Sequence, residues 1–179
     1  MAYDLDQFTA DCRTILKRDP GPGGREEVRQ RLEQLLQNPD FVRKNCVERE
    51  KGLHVLYEDK DLGFQVLAHL NQKPRVSPPH DHGKSWAIYG QATEYTDMTE
   101  WERIDDGSDK THGKLKVAKT YRLTPGHAGI YADGKIHSID YPANSCFVRV
   151  TGTNLDRIAR VSFDRESGKI TQMAPQQAT

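Results

Sequence analysis

The sequence predicts a mainly β domain, a sandwich, jelly roll or barrel of short antiparallel strands, carried behind an α-helical N-terminal segment. Three observations predict it. The first ~45 residues place apolar side chains at helical spacing. From Gly52 onward, short runs rich in Val, Ile, Tyr and Thr alternate with turns of Gly, Pro, Asn and Asp. No long helical stretch separates those runs, which excludes parallel βαβ units and leaves antiparallel architectures.

The elements follow in order. Leu5, Phe8, Cys12, Ile15 and Leu16 recur at helical spacing, and Asp4 with Gln7 makes a capping box at the start of that helix. Pro20-Gly-Pro-Gly-Gly24 breaks it, because proline lacks a donor and glycine costs entropy. A second helix carries Val28, Leu32, Leu35 and Leu36 on one face, and Asn38-Pro39-Asp40 opens a short third turn through Phe41 and Val42. Strands are expected at 53–58, 63–70, 85–96, 114–122, 128–132, 136–140, 145–151 and 157–164, with a ninth near 169–172. The polar stretch 97–113 reads as a long loop or hairpin tip. With 179 residues the chain fits one domain, 1–179, comprising a helical segment over 1–48 and a β-barrel over 50–172.

Composition narrows the function classes. The 26 basic and 26 acidic residues cancel, so the chain lacks the basic footprint of a nucleic-acid or anionic-membrane binder. No apolar run approaches the ~20 residues of a membrane span. Met1-Ala-Tyr-Asp-Leu-Asp-Gln carries neither the basic nor the apolar region of a signal peptide. Cys12, Cys46 and Cys146 are scattered singly, which reads as reduced thiols in the cytoplasm. No phosphate-binding glycine loop or Ser-His-Asp set is discernible.

Seven histidines remain to be placed. His112 lies in a polar stretch and reads as surface; His54 and His69 fall within strand patterns. In Pro78-Pro-His-Asp-His-Gly83 two imidazoles stand two residues apart, so an extended backbone puts both on one face, where they can share a metal. Downstream, Leu123-Thr-Pro-Gly-His127 and Asp133-Gly-Lys-Ile-His137 each offer a third ligand.

The paired HxH and late Gly-turn-His units, with the strand order around them, resemble the two sequence motifs of the cupins over about residues 50–164. The resemblance implies the cupin double-stranded β-helix, a jelly-roll barrel, and favours His137 over His127 beside His80 and His82. Many cupins add a glutamate four or five residues after the histidine pair; here those positions hold Trp86 and Ala87. Three neutral imidazoles with open positions imply a catalytic metal, and imidazole suits Fe, Zn, Ni or Cu.

Among cupins, glutamate-free three-histidine sites look like the cysteine dioxygenase-like thiol dioxygenases, whose N-terminal helices are also matched. That likeness implies Fe(II) as cofactor, O2 and a small thiol as substrates, and a sulfinate as product. Departures bear on which thiol. The cysteine that the mammalian-type members cross-link to tyrosine falls at Ala87, their carboxylate-binding arginine at His54, and their Ser-His-Tyr set at Phe147, Arg149 and Thr151. Free cysteine is therefore not the expected substrate. Other metal-dependent cupin enzymes (isomerases, lyases or carbon-oxidising dioxygenases) and non-catalytic small-molecule binders share the same motifs.

Two further residues are assigned to the site. Trp86, Ile88 and Tyr89 read as barrel core, with Tyr89 as the one able to project into the pocket. In Cys146-Phe-Val-Arg-Val-Thr151 strand alternation sets Phe147, Arg149 and Thr151 on one face. On an exposed sheet Arg149 would be solvated. In a barrel whose outer face is covered by helices it points inward, and its place twelve residues after His137 matches the family's pocket histidine. There it would bind a substrate carboxylate through two parallel charge-assisted bonds. The expected assembly is a homodimer.

Overall fold

The computed structural model describes residues 2–176. Helix α1 (Leu5–Arg18) starts at the capping box: the Asp4 carboxylate accepts from Gln7 N at 2.9 Å, and the Gln7 side chain accepts from Asp4 N at 3.0 Å. Helix α2 (Pro22–Leu36) begins inside the Pro20–Gly24 segment, which corrects the reading of that segment as a simple break. Pro22 stands in the first turn, where its missing N–H loses no helical partner. The Asp19 carboxylate accepts from the amides of Gly21 and Gly24 at 2.8 Å each, doing the work of a cap. Helix α3 (Pro39–Val42), capped by Asn38, runs into one π-helical turn, Arg43–Val47.

The strands are β1 (Gly52–Glu58), β2 (Gln65–Leu70), β3 (Arg75–Val76), β4 (Ala87–Thr93), β5 (Thr96–Arg103), β6 (Leu115–Leu123), β7 (Ala128–Tyr131), β8 (His137–Tyr141), β9 (Cys146–Thr151), β10 (Arg160–Phe163) and β11 (Ile170–Met173). They form two antiparallel sheets, ordered β1-β2-β9-β4-β7 and β3-β8-β5-β6, with β10-β11 as a hairpin. Late strand β9 lies between β2 and β4 in one sheet, and β8 lies between β3 and β5 in the other. This interleaving of early and late strands is the jelly roll.

Strand alternation decides what each face meets. On the first sheet Val66, Ala68, Leu70, Ile88, Val148 and Val150 face outward and pack against Phe8, Leu32, Leu35 and Phe41 of the helices. Each leucine so buried contributes roughly 1.5–3 kcal/mol. Gly90 permits the contact, since a Cβ there would stand 2.7 Å from Leu32 Cδ2 and Leu36 Cδ1. The inner faces of both sheets meet around Tyr89, Met98, Tyr131, Ile139, Tyr141 and Phe147. Trp86 and Ile88 belong to the outer, helix-covered cluster, so of the three residues assigned to barrel core only Tyr89 faces inward.

Three further differences from the sequence reading have local causes. The 97–113 stretch is not all loop, because Thr96–Arg103 is a full strand paired with both β8 and β6. Its polarity reflects one solvated face, where Asp97 meets Arg122 at 2.7 Å and Glu102 meets Lys116 at 3.1 Å. The 157–164 segment splits into a 3₁₀ turn, Leu155–Arg157, and the short β10. The two-residue β3 is too short to leave a periodic signal. No helix among the described residues is long and apolar enough to cross a membrane.

Candidate metal centre

His80 and His82 lie outside the regular strands. His80 is a bridge residue in the link from β3 to β4, and it exchanges both backbone hydrogen bonds with His137 at 2.9 Å. It also bridges Ser162 of β10. Asp81 pins the segment: its carboxylate accepts from Gly83 N at 3.1 Å and Val161 N at 2.9 Å. His80 is therefore extended because two neighbours pair with it. His137, opening β8, faces it directly.

The three side chains converge. One ring nitrogen from each of His80, His82 and His137 lies within 4.8 Å of the others, and His82 and His137 are buried. The His80 Nδ1 faces the Pro78 carbonyl at 2.9 Å, and the His137 Nδ1 faces the Lys135 carbonyl at 3.3 Å. A carbonyl only accepts, so each Nδ1 carries the proton and each Nε2 keeps a free lone pair. Nε2 of His82 and of His137 stand 3.2 and 3.4 Å from one hydroxyl, that of Tyr89. The three imidazoles thus form a group able to hold one metal ion once the rings close to the ~2.0–2.1 Å of an imidazole bond.

Electrostatics keeps these imidazoles neutral, as ligands must be. Burial lowers the pKa of all three, His82 well below its ordinary value and His137 to about 3; each also feels another histidine or the Arg149 charge. In the unfolded chain His137 protonates near 6.5, in the fold only near 3. Between those values the unfolded state holds more protons, so stability falls as pH drops through this window. The Tm of metal-free protein should therefore fall from about pH 6.5 downward, and less steeply in His137→Gln. An unchanged slope in that variant would contradict the assignment.

A cavity of about 310 Å3 adjoins the triad, at the small end of the ~300–1,000 Å3 range of small-molecule sites. His80 and Tyr89 form its wall toward the triad, and Phe147, Ile139 and Tyr141 supply apolar sides. Arg149 lines it between Leu67 and Tyr89 of the adjoining strands. Its other charged lining residues are Arg75 and Arg160, and no Asp or Glu lines it. Burial raises the Tyr89 pKa, with Arg149 opposing, so the phenol stays protonated.

The other histidines divide cleanly. His127 is exposed and contacts Thr124 Oγ1 at 3.2 Å, away from the triad. His112 is exposed beside Asp109. His54 contacts the Glu50 carbonyl at 2.9 Å and does not line the cavity. His69, left open by its sequence, lines the cavity stacked on Phe147 with ring centroids 4.6 Å apart. Arg160 was missed altogether, although Arg160 and Ser162 alternate with Val161 as Arg149 does with its neighbours.

No protein-family model matches the chain, and no curated protein does. Among solved structures it is similar to KdgF from Halomonas sp., at 15% identity over 58% of this chain and 82% of that one, with a TM-score of 0.42. It is also similar to the cupin domain of Schizosaccharomyces pombe Cnp3, at 10% identity over 61% and 67% of the two chains, TM-score 0.46. A third is hydroquinone 1,2-dioxygenase PnpCD, at 11% identity over 62% and 69%, TM-score 0.45. Likeness at this level carries no activity across.

Proposed function

We propose that the protein is a mononuclear Fe(II)-dependent dioxygenase of the thiol dioxygenase type, which oxidises a small thiol-bearing carboxylate to a sulfinate. The observation that carries this reading is the convergence of three neutral histidines, with no carboxylate among them, beside a cavity that His80 lines and whose charged residues are all arginines. His80, His82 and His137 would hold the iron through Nε2, and in that place Fe(II) supplies a Lewis-acidic centre for a thiolate and O2. The overall change, thiolate plus O2 to sulfinate, conserves atoms and charge.

This chain's residues do the positioning. The Arg149 guanidinium accommodates the carboxylate bidentately and so fixes the distance from the substrate's anionic end to the histidines. Tyr89, protonated and within 3.2 Å of His82 Nε2, is placed to donate a hydrogen bond to a group beside the triad. Phe147, Tyr141 and Ile139 keep water from the reacting end.

Anaerobically Fe(II)-loaded protein, offered a panel of short thiol carboxylates, is expected to consume one O2 per sulfinate formed. Arg149→Met should retain iron yet raise KM by about 10–100-fold, the weight of hydrogen bonds to a charged group. Iron-loaded protein that takes up no O2 with any thiol in the panel would overturn the proposal.

A further inference from the structure

Among the described residues three buried side-chain nitrogen or oxygen atoms have no hydrogen-bond partner: His69 Nε2, Arg149 Nε and Arg160 Nε. All three belong to residues lining the one cavity beside His80. Buried polar atoms are nearly always paired, because an unpaired one costs its full desolvation. Three orphans around one cavity are therefore donors and contacts waiting for atoms that a ligand brings.

The lining charges say that the ligand is anionic. Arg149 has no carboxylate partner among the described residues, and Arg160 has only Asp156, at 3.5 Å and mostly exposed. Arg75, exposed at the rim, adds a further positive charge. A single carboxylate held by Arg149 would leave the Arg160 Nε buried and unanswered. The two guanidiniums also come from different sides: Arg149 from β9 in the first sheet, Arg160 from β10, which is bridged to His80.

Building on the proposed function, we infer that the substrate is a small dianion, in which one carboxylate pairs with Arg149 and His69, which stand on adjoining strands, while a second pairs with Arg160. The metal-directed thiol lies on the short carbon chain between or beside them. Arg75 at the rim draws such a dianion in.

The test uses metal-free protein and two probes of equal length, butyrate and succinate, titrated calorimetrically at one ionic strength so that general screening is constant. Succinate should bind at least ten-fold more tightly than butyrate. Arg160→Met should bring succinate to the butyrate level, and Arg149→Met should weaken both. If Arg160→Met does not fold, Arg160→Lys, which keeps the charge and loses the planar fork, must still cut the succinate advantage. Equal affinity for the two probes, or a succinate advantage untouched at Arg160, overturns the dianion and leaves the carboxylate reading standing. No binding of either probe overturns both.

Discussion

His137→Ala is expected to lower the affinity for Fe(II), or for Co(II) as a spectroscopic substitute, by more than about 100-fold, beyond the ~10–100-fold typical of losing a group that merely orients a ligand. His82→Ala should match it, because both rings are buried at the same convergence point and no carboxylate stands in reserve among the lining residues. His127→Ala should leave metal binding unchanged, its ring being exposed and engaged with Thr124. Titration with Co(II), read by visible absorption, checks all three. Full retention of metal in His137→Ala with loss in His127→Ala would reverse the assignment.

Gly83→Ala should be the most damaging conservative change near the site. Gly83 follows His82 directly and has φ +56°, a left-handed conformation that costs an L side chain about 1–2 kcal/mol. A Cβ there would lie 2.2 Å from the carbonyl oxygen of Ala159, which is backbone and cannot swing aside. Forcing such a contact adds roughly 1–3 kcal/mol. The expected loss is about 2–5 kcal/mol of stability by denaturant unfolding. Because Asp81 ties this turn to Val161, the displacement should carry His82 with it and weaken metal binding as well. A variant of unchanged stability and metal affinity would show that the turn does not position His82.

What could be read from the sequence followed local physics. The capping box at Asp4 and Gln7, the apolar stripe Val28–Leu36 and the Asn38 cap depend on residues three or four apart, so they are visible without tertiary information. Strand alternation sufficed to turn Arg149 away from the helices, since Cys146, Val148 and Val150 claim the outer face. The histidine pair was visible too, but the cause of its geometry was not. His80 is extended because of bridges to His137 and Ser162, residues more than fifty positions away. Strand β5 was hidden because its solvated face is stabilised by cross-strand pairs such as Asp97 with Arg122, which look like loop residues one strand at a time. His69 and Arg160 were hidden for the same reason: nothing local marks either as a neighbour of His80, and only the jelly-roll order brings β2 and β10 to one cavity.

The most direct measurement is the position of the metal itself, from anomalous diffraction at the iron edge on crystals loaded anaerobically with Fe(II). The account predicts a single strong peak at about 2.0–2.2 Å from the Nε2 atoms of His80, His82 and His137, the usual range for imidazole on a divalent transition metal, with the cavity of Arg149 and Arg160 opening beside it. A map with no peak among the three histidines, or with the iron held instead by the acidic loop of Asp105, Asp106 and Asp109, would contradict it.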